Sequence, residues 1–154
     1  MSMDIGSKPR AFRWDARYET GLPEVDAQHR ALVAIINRLV AALDGPGETD
    51  AVRGCVAELV HYASRHFETE EALMESWDIG GEHEAGHVQG HRRFAGFVLD
   101  KAALLGSEPG AAADIARFLV EWLAHHILHT DHKMAALIRA AVLAKGLSRE
   151  SVLV

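Results

Sequence analysis

The chain has a single cysteine, Cys55, and this scarcity excludes several ways of stabilising a small protein. One cysteine cannot form an internal disulfide, and it cannot build a cysteine-based zinc knuckle or an iron–sulfur site. The 154 residues are enough for about one domain, which at this length buries enough surface to fold without cross-links. A reducing compartment is therefore compatible with the sequence.

The sequence also lacks an excess of positive charge and a long apolar run. The formal net charge is −6 with histidine neutral, and the lysines and arginines are scattered, so the electrostatic field disfavours nucleic acid as a partner. Residues 1–10 contain no apolar segment of signal-peptide length, and no run of about eighteen apolar residues predicts membrane insertion. We expect a soluble, cytoplasmic protein.

Apolar residues recur at intervals of three and four along the chain, which is typical of helices and not of strands. The predicted helices cover about 23–44, 50–77, 82–105 and 111–143, the last with or without a bend. Breaks separate them at Gly45-Pro46-Gly47, Ile79-Gly80-Gly81 and Gly106 to Gly110. Because short connections favour antiparallel neighbours, the sequence predicts an all-α, up-down-up-down four-helix bundle.

An aromatic-rich segment from Phe12 to Tyr18 precedes the first helix and has no periodic pattern. We expect three parts in the chain. They are an N-terminal arm over residues 1–20, the four-helix bundle over 21–145 and a C-terminal tail over 146–154. Thr49 or Asp50 is the expected N-cap of the second helix.

Histidine is abundant, with ten in 154 residues, and five of the ten fall together with two carboxylates on the predicted helices. Residues four apart on a helix lie about 40° apart around its axis, so His66 shares a face with Glu70, and His87 shares one with His91. Five imidazoles and two carboxylates suit a pair of iron ions. The seven candidate metal ligands are His29, His66, Glu70, His87, His91, His126 and Asp131.

The spacing of His126 and Asp131 is less natural for a helix. Five residues correspond to about 140° around an ideal α-helix, so the two side chains do not share a face. Either the helix is distorted at this point, or the two ligands approach the site from opposite edges.

The segment His83-Glu84-Ala85-Gly86-His87 matches HExxH, a motif in which two histidines bind zinc and the glutamate activates water for proteolysis. The longer form of the motif needs a third histidine at position 93, which is Arg93 here. No strand pattern is present that could bind a peptide substrate. A zinc metalloprotease is therefore a remote alternative.

The same segment leaves two registers for the ligands on the third helix. His83, His87 and His91 form one stripe, so either the first two or the last two bind metal. Phe94, three residues after His91, favours the last two and leaves His83 outside the ligand set. The replacement of His91 by His83 remains open at this stage.

Four motifs in order resemble those of a known family. The segment His66-Phe67-Glu68-Thr69-Glu70-Glu71-Ala72-Leu73-Met74 resembles the HFxxEExLM signature of hemerythrins and bacteriohemerythrins. The other segments that resemble family motifs are Gly21 to His29 with Ile36-Asn37, His87 to Phe94, and Trp122 to Asp131. The resemblance covers about residues 12–135.

The resemblance implies a non-haem di-iron protein that binds dioxygen reversibly for transport, storage, delivery or sensing and is not an enzyme. The implied ligands are His87, His91 and His126 for one iron, His29 and His66 for the other, and Glu70 and Asp131 as bridges between them. An oxo or hydroxo group would complete the bridge. The iron with two histidines would keep an open position for dioxygen.

Four apolar side chains next to the ligands can line a dry oxygen pocket, namely Phe67, Trp122, Leu123 and Ile127. A dry pocket slows proton delivery to reduced oxygen species and their loss. Few carboxylates beside many imidazoles also favour reversible binding over oxidation of a substrate. The alternative for the same site is a di-iron enzyme that reduces nitric oxide or peroxide or acts as an oxidase. A redox or oxygen-consuming protein is a further expected partner.

Overall fold

The computed structural model describes residues 9–45 and 50–146. Within these ranges the chain is helical and contains no β-strand, which confirms the predicted all-α class. The helices are α1 (Pro23–Ala42), α2 (Asp50–Ser76), α3 (Gly81–Ala102), α4 (Ala111–His125) and α5 (His132–Ala144), with a π-helix at His126–Asp131. Residues 46–49, which include Thr49 and most of the first predicted break, lie outside the described residues, as do positions 1–8 and 147–154 of the predicted arm and tail.

The last three elements form one continuous helix. The backbone stays right-handed helical at His126 (φ −62°, ψ −45°) and at Asp131 (φ −71°, ψ −37°), so α4 passes through the π-helix into α5 without a turn. Helices α1 and α3 each pack against both α2 and α4, which makes a helical bundle with a shared core. Among the described residues, no helix is both long and apolar enough to cross a membrane.

The start of α1 is fixed by buried hydrogen bonds. The carboxylate of Asp26 accepts from the backbone N–H groups of Thr20 (2.8 Å) and Gly21 (3.1 Å), and from the hydroxyl of Thr20 (2.7 Å). Arg139 on α5 donates to the carbonyl of Thr20 (2.7 Å). These bonds hold the beginning of α1 against α5, one turn before His29.

The segment before α1 lies on the bundle surface. Asn37 of α1 accepts from the backbone N–H of Phe12 (2.7 Å) and donates to its carbonyl (3.0 Å). The segment contains a short 3₁₀-helix, Ala16–Tyr18, and the rings of Phe12 and Tyr18 have centroids 4.9 Å apart. The aromatic residues that lack periodicity in the sequence therefore pack against the bundle rather than forming another α-helix.

The buried apolar side chains form two clusters along the bundle. The large cluster includes Leu32, Ile36, Leu59, Phe67, Ile115, Leu119, Leu123 and Ile127. The small cluster consists of Leu22, Val25, Met74, Met134, Ala135, Ile138 and Val142. On α1, His29 comes between Val25 of the small cluster and Leu32 of the large cluster, and on α2, Glu70 comes between Phe67 of the large cluster and Met74 of the small cluster. A layer of polar side chains therefore divides the core.

Candidate metal centre

The seven candidate ligands converge in this polar layer, and none is more than 5% exposed. Their ligand atoms form two groups, each with all atoms within 4.8 Å of one another. The three-histidine group consists of Glu70, His87, His91 and His126. The two-histidine group consists of His29, His66, Glu70 and Asp131. The structure therefore brings together all seven side chains that the sequence singles out.

Glu70 contacts both groups with different oxygens. Its Oε1 lies 2.8 Å from Nε2 of His66 and 3.3 Å from Nε2 of His29. Its Oε2 lies 2.9 Å from Nε2 of His87 and 3.1 Å from Nε2 of His91. The carboxylate thus spans the space between the two groups.

Asp131 spans the same space from the opposite helix. Its Oδ2 lies 2.9 Å from Nε2 of His29, and its Oδ1 lies 3.1 Å from Nε2 of His87 and 3.2 Å from Nε2 of His126. Each carboxylate therefore directs one oxygen toward each set of histidines, which is the arrangement that two adjacent cations require.

The π-helix explains how His126 and Asp131 reach the same site. Hydrogen bonds in a π-helix join residues five apart, so its turn is wider than that of an α-helix and brings such residues onto nearly one face. The π-helix covers this interval, His126–Asp131. Of the two alternatives that the spacing leaves open, the structure contains the local distortion of the helix.

The donor atoms of the site fit a bound cation. Several nitrogen and oxygen atoms of the candidate ligands are buried and have no hydrogen-bond partner among the described residues, although a nitrogen or oxygen of another ligand lies close to them. These atoms are both ring nitrogens of His29, Nε2 of His126, Oε1 of Glu70 and both carboxylate oxygens of Asp131. Burial of unpaired polar groups costs free energy, and lone pairs that face one another repel unless a proton or a metal ion lies between them. The site is therefore built for positive charge.

In the metal-free protein, protons can supply part of that charge. Burial lowers the pKa of His29, but the carboxylates of Asp131 and Glu70 outweigh burial and raise this pKa to about 9. The same balance raises the pKa of His87 to about 9. Burial alone raises the pKa of the Glu70 carboxyl, but the nearby histidines, His66 foremost, hold it well below its usual range. Because a metal-bound imidazole must be neutral, binding of metal displaces these protons.

Side chains outside the two groups orient three of the ligand histidines. The amide oxygen of Gln28 lies 2.7 Å from Nδ1 of His66, and the carboxylate of Glu71 lies 3.1 Å from Nδ1 of His91. Partners of this kind fix the ring and the tautomer of a ligand histidine, so that its other nitrogen faces the metal. Sequence reasoning assigned no role to Gln28 or Glu71. Each contacts a histidine on another helix, so the sequence shows only that Gln28 precedes His29 and that Glu71 is the second glutamate of the HFxxEExLM motif.

The third outer partner is His83. Its Nε2 lies 3.1 Å from Nδ1 of His87, and it belongs to neither ligand group. Burial lowers the pKa of His83, and the charge of His87 lowers it further. In the structure, His87 and His91 point into the polar layer and His83 contacts the layer from outside. The HExxH pattern therefore does not place His83 in a ligand group with His87.

Apolar and aromatic side chains surround the site. The ring of Phe67 stacks on His91 (centroids 3.9 Å apart, 11° between planes), and Trp122 stacks on His126 (4.3 Å, 14°). A cavity of about 10 Å³ is lined by Leu32, Ile36, Leu59, Ala63, Phe67, Phe94, Trp122 and Leu123. Ile127, the fourth side chain of the predicted oxygen pocket, is fully buried in the large cluster but is not among the residues lining this cavity.

The cavity lies beside ligands of both groups, because two of its lining rings, Phe67 and Trp122, stack on His91 and His126 of the three-histidine group. Leu32 follows His29 by three residues on α1, and Ala63 precedes His66 by three on α2, so each lies about one helical turn from a ligand. All the lining side chains are apolar, and the volume is near the lower limit for one small molecule.

Comparison with known proteins agrees with this geometry. Residues 20–138 match the family described as hemerythrin, with a hemerythrin HHE cation-binding domain. A bacteriohemerythrin of Pseudomonas aeruginosa is 30% identical over 134 residues, which are 82% of this chain and 86% of that protein. A hemerythrin-like protein of Naegleria gruberi is 30% identical over 125 residues, 81% of this chain and 92% of that protein.

A bacteriohemerythrin of Stenotrophomonas maltophilia is 28% identical over 127 residues, 82% of this chain and 81% of that protein. The family match covers the whole polar layer, from before His29 to after Asp131. The resemblance that the four sequence motifs carry is thus confirmed, and the chain belongs to the hemerythrin family, with a cation-binding domain formed by its helical bundle.

Proposed function

We propose that this chain is a non-haem di-iron protein that binds dioxygen reversibly. Each histidine group would hold one iron ion, and Glu70 and Asp131 would bind both ions together with an oxo or hydroxo group. The proposed ligands are His87, His91 and His126 for one ion, His29 and His66 for the other, and Glu70 and Asp131 for both.

The orientation of the two carboxylates is the observation that carries this proposal. Glu70 and Asp131 each direct one oxygen to either side of the polar layer, at 2.8 to 3.3 Å from the histidine nitrogens. A single ion would not need two carboxylates in this arrangement. Imidazole with carboxylate is a ligand set that suits iron, and the family's cation-binding domain supports a metal in this place.

We assign dioxygen to the two-histidine position, because the ion there has one histidine fewer than its neighbour and can accept another ligand. When bound, the iron pair supplies the electrons for reversible binding of dioxygen. Phe67, Trp122 and Leu123 line the apolar cavity beside the site, and Ile127 is buried in the same cluster. These side chains exclude water and so slow proton delivery to the bound gas.

The proposal extends to the organisation of the chain. The helices would run up-down-up-down as one domain over residues 21–145, after an arm over 1–20 and before a tail over 146–154. The short connections between α2 and α3 and between α3 and α4 support this topology. The family match over residues 20–138 supports the domain boundaries.

Metal analysis combined with optical spectroscopy tests the function. Protein made in iron-replete cells is expected to contain two iron ions per chain. After anaerobic reduction, mixing with dioxygen should produce a new absorption band that lasts for minutes, and flushing with argon should remove it over repeated cycles. One zinc ion and no iron would contradict the di-iron assignment. If argon cannot reverse the band even in the first minutes, an oxidase or reductase becomes the better assignment.

A pair of isoleucine variants tests the role of the apolar surroundings. Ile127 and Ile138 are both fully buried, but Ile127 belongs to the large cluster beside the site and Ile138 to the small cluster. Ile127→Thr should shorten the lifetime of the oxygenated protein several-fold, because a buried hydroxyl next to His126 gives water a hydrogen-bond partner beside the site. Ile138→Thr is the matched control and should change the stability but not this lifetime.

A further inference from the structure

The outward nitrogens of the ligand histidines have different partners in the two groups. In the three-histidine group, Nδ1 of His91 lies 3.1 Å from a carboxylate oxygen of Glu71. In the two-histidine group, Nδ1 of His66 lies 2.7 Å from the neutral amide oxygen of Gln28. Among the described residues, Glu71 is the only carboxylate in contact with an outward nitrogen of these histidines.

The carboxylate of Glu71 determines which nitrogen of His91 carries hydrogen. An ionised carboxylate only accepts, so Nδ1 of His91 donates to Glu71, and the lone pair of Nε2 faces Glu70. A carboxylate partner makes an imidazole a stronger electron donor than a neutral partner does. The side chain of Glu71 is 41% exposed, so water screens its charge in part, while its direct hydrogen bond to the ring remains.

Gln28 gives the opposite side a neutral partner in a fixed orientation. Its amide nitrogen donates to the hydroxyl of Thr69 (3.1 Å), and this hydroxyl donates in turn to the carbonyl of Arg65 (3.1 Å). The amide oxygen of Gln28 therefore stays directed at His66, and among the described residues this outer partner carries no charge.

We infer that Glu71 is a positioning residue that makes the iron at the three-histidine position lose its electron before the iron at the two-histidine position. The inference rests on the proposed function, because it needs both ions. Glu70 and Asp131 each direct one oxygen to each side, so they affect both irons alike. A difference in redox potential between the two irons must therefore come from the histidines and their outer partners. When one equivalent of ferricyanide takes one electron from the diferrous protein and becomes ferrocyanide, the ferric ion forms where the ligands donate more strongly.

Redox titration of the iron-loaded protein tests the role of Glu71. Glu71→Gln keeps an acceptor oxygen for His91 but removes the charge, so the potential of the first oxidation should rise by about 59 mV, a tenfold change in a one-electron equilibrium. Glu75→Gln is the matched control, since Glu75 is an exposed acid one turn further along α2. A shift in Glu71→Gln no larger than the shift in Glu75→Gln would overturn the inference.

Proton NMR of the half-oxidised protein locates the ferric ion. The ring N–H protons of histidines on ferric and ferrous iron differ in paramagnetic shift, so the wild type should show three on ferric iron and two on ferrous iron. The double variant Glu71→Gln with Gln28→Glu moves the carboxylate to the other group and should shift the ferric population toward the two-histidine position. An unchanged three-to-two pattern in that variant, with unchanged potentials, would overturn the inference.

If Glu71→Gln does not fold, the redox potentials of the single variant Gln28→Glu still test the inference. The added carboxylate should lower the potential at the two-histidine position, and an unchanged potential contradicts the role assigned to the outer partners. Iron analysis of the wild type separates this result from failure of the proposed function. Fewer than two iron ions in the wild type overturns both, whereas two iron ions with reversible oxygenation but no effect of Glu71 overturns this inference alone.

Discussion

The large apolar cluster and the polar layer lie next to each other on the same helices, and burial affects them in opposite ways. Ile115 and Leu119 in the cluster are fully buried, and so are Glu70 and Asp131 in the layer. Burial of the apolar side chains stabilises the fold by roughly 25 cal/mol per Å² of surface removed from water. Burial of the carboxylates costs free energy until positive charge compensates them.

The comparison teaches which part of the molecule depends on a ligand. The apolar cluster needs only its own packing, while the polar layer needs protons or metal ions. A bound metal that is absent from the unfolded chain adds its binding free energy to the stability of the fold. We therefore expect changes in the layer to act through metal content, and changes in the part of the cluster away from the ligands to act on folding alone.

The largest expected effect is a loss of bound iron when one histidine of the polar layer is replaced. A histidine on the same face of α3 but outside the layer serves as the control. His91→Ala should contain fewer than two iron ions per chain, because His91 points into the three-histidine group. His83→Ala should bind iron almost as the wild type does, because His83 only contacts His87 from outside. Elemental analysis of the purified variants measures the difference. The reverse result would move the ligand pair one turn toward the start of α3.

A substitution in the apolar cluster should have an intermediate effect, on stability alone. Ile115→Ala removes a fully buried side chain and should lower the free energy of unfolding by about 2–5 kcal/mol. Leu99→Ala is the control, since Leu99 is 55% exposed, and should change it by less than about 0.5 kcal/mol. Urea denaturation measures both, and iron analysis should still find two ions. Loss of iron in Ile115→Ala at conditions where it is folded would show that the two regions are not independent.

The smallest effect concerns the pH dependence of the metal-free protein. The pKa values of His29 and His87 are raised from 6.5 to about 9 in the fold, so their contribution to stability is complete below pH 6.5 and is lost as the pH rises through 9. Iron-loaded protein, whose ligand histidines are neutral, should not lose stability in this window. Urea midpoints between pH 6 and pH 9, with and without a chelator, compare the two forms. A metal-free midpoint that is constant over this range would contradict the raised pKa values.

Much of the helical structure could be predicted from local sequence. The apolar period of three and four predicts helices whose ends fall close to those of α1 and α3, and the glycines at 80 and 81 predict the break before α3. The spacing of four residues also places His66 with Glu70, and His87 with His91, on shared faces, because the geometry of an α-helix alone determines this. These features need no knowledge of the other helices.

The contacts between side chains of different helices could not be predicted from the local sequence. The π-helix at His126–Asp131 forms where two ligands five residues apart must face one site, and an ideal helix does not predict it. The contacts of Gln28 with His66 and of Glu71 with His91 join different helices, so the periodic pattern within one helix does not predict them.

The sequence by itself determined that this chain is helical, that it belongs to the hemerythrin family and which histidines and acids are the candidate ligands, since these follow from local periodicity and from ordered motifs. Only the tertiary structure decided that each carboxylate faces both histidine groups, that His83 stays outside the polar layer and that side chains one turn from His29 and His66 line an apolar cavity. The physical reason is that spacing along a helix determines a direction around its axis. The distance to a side chain on another helix depends on how the helices pack.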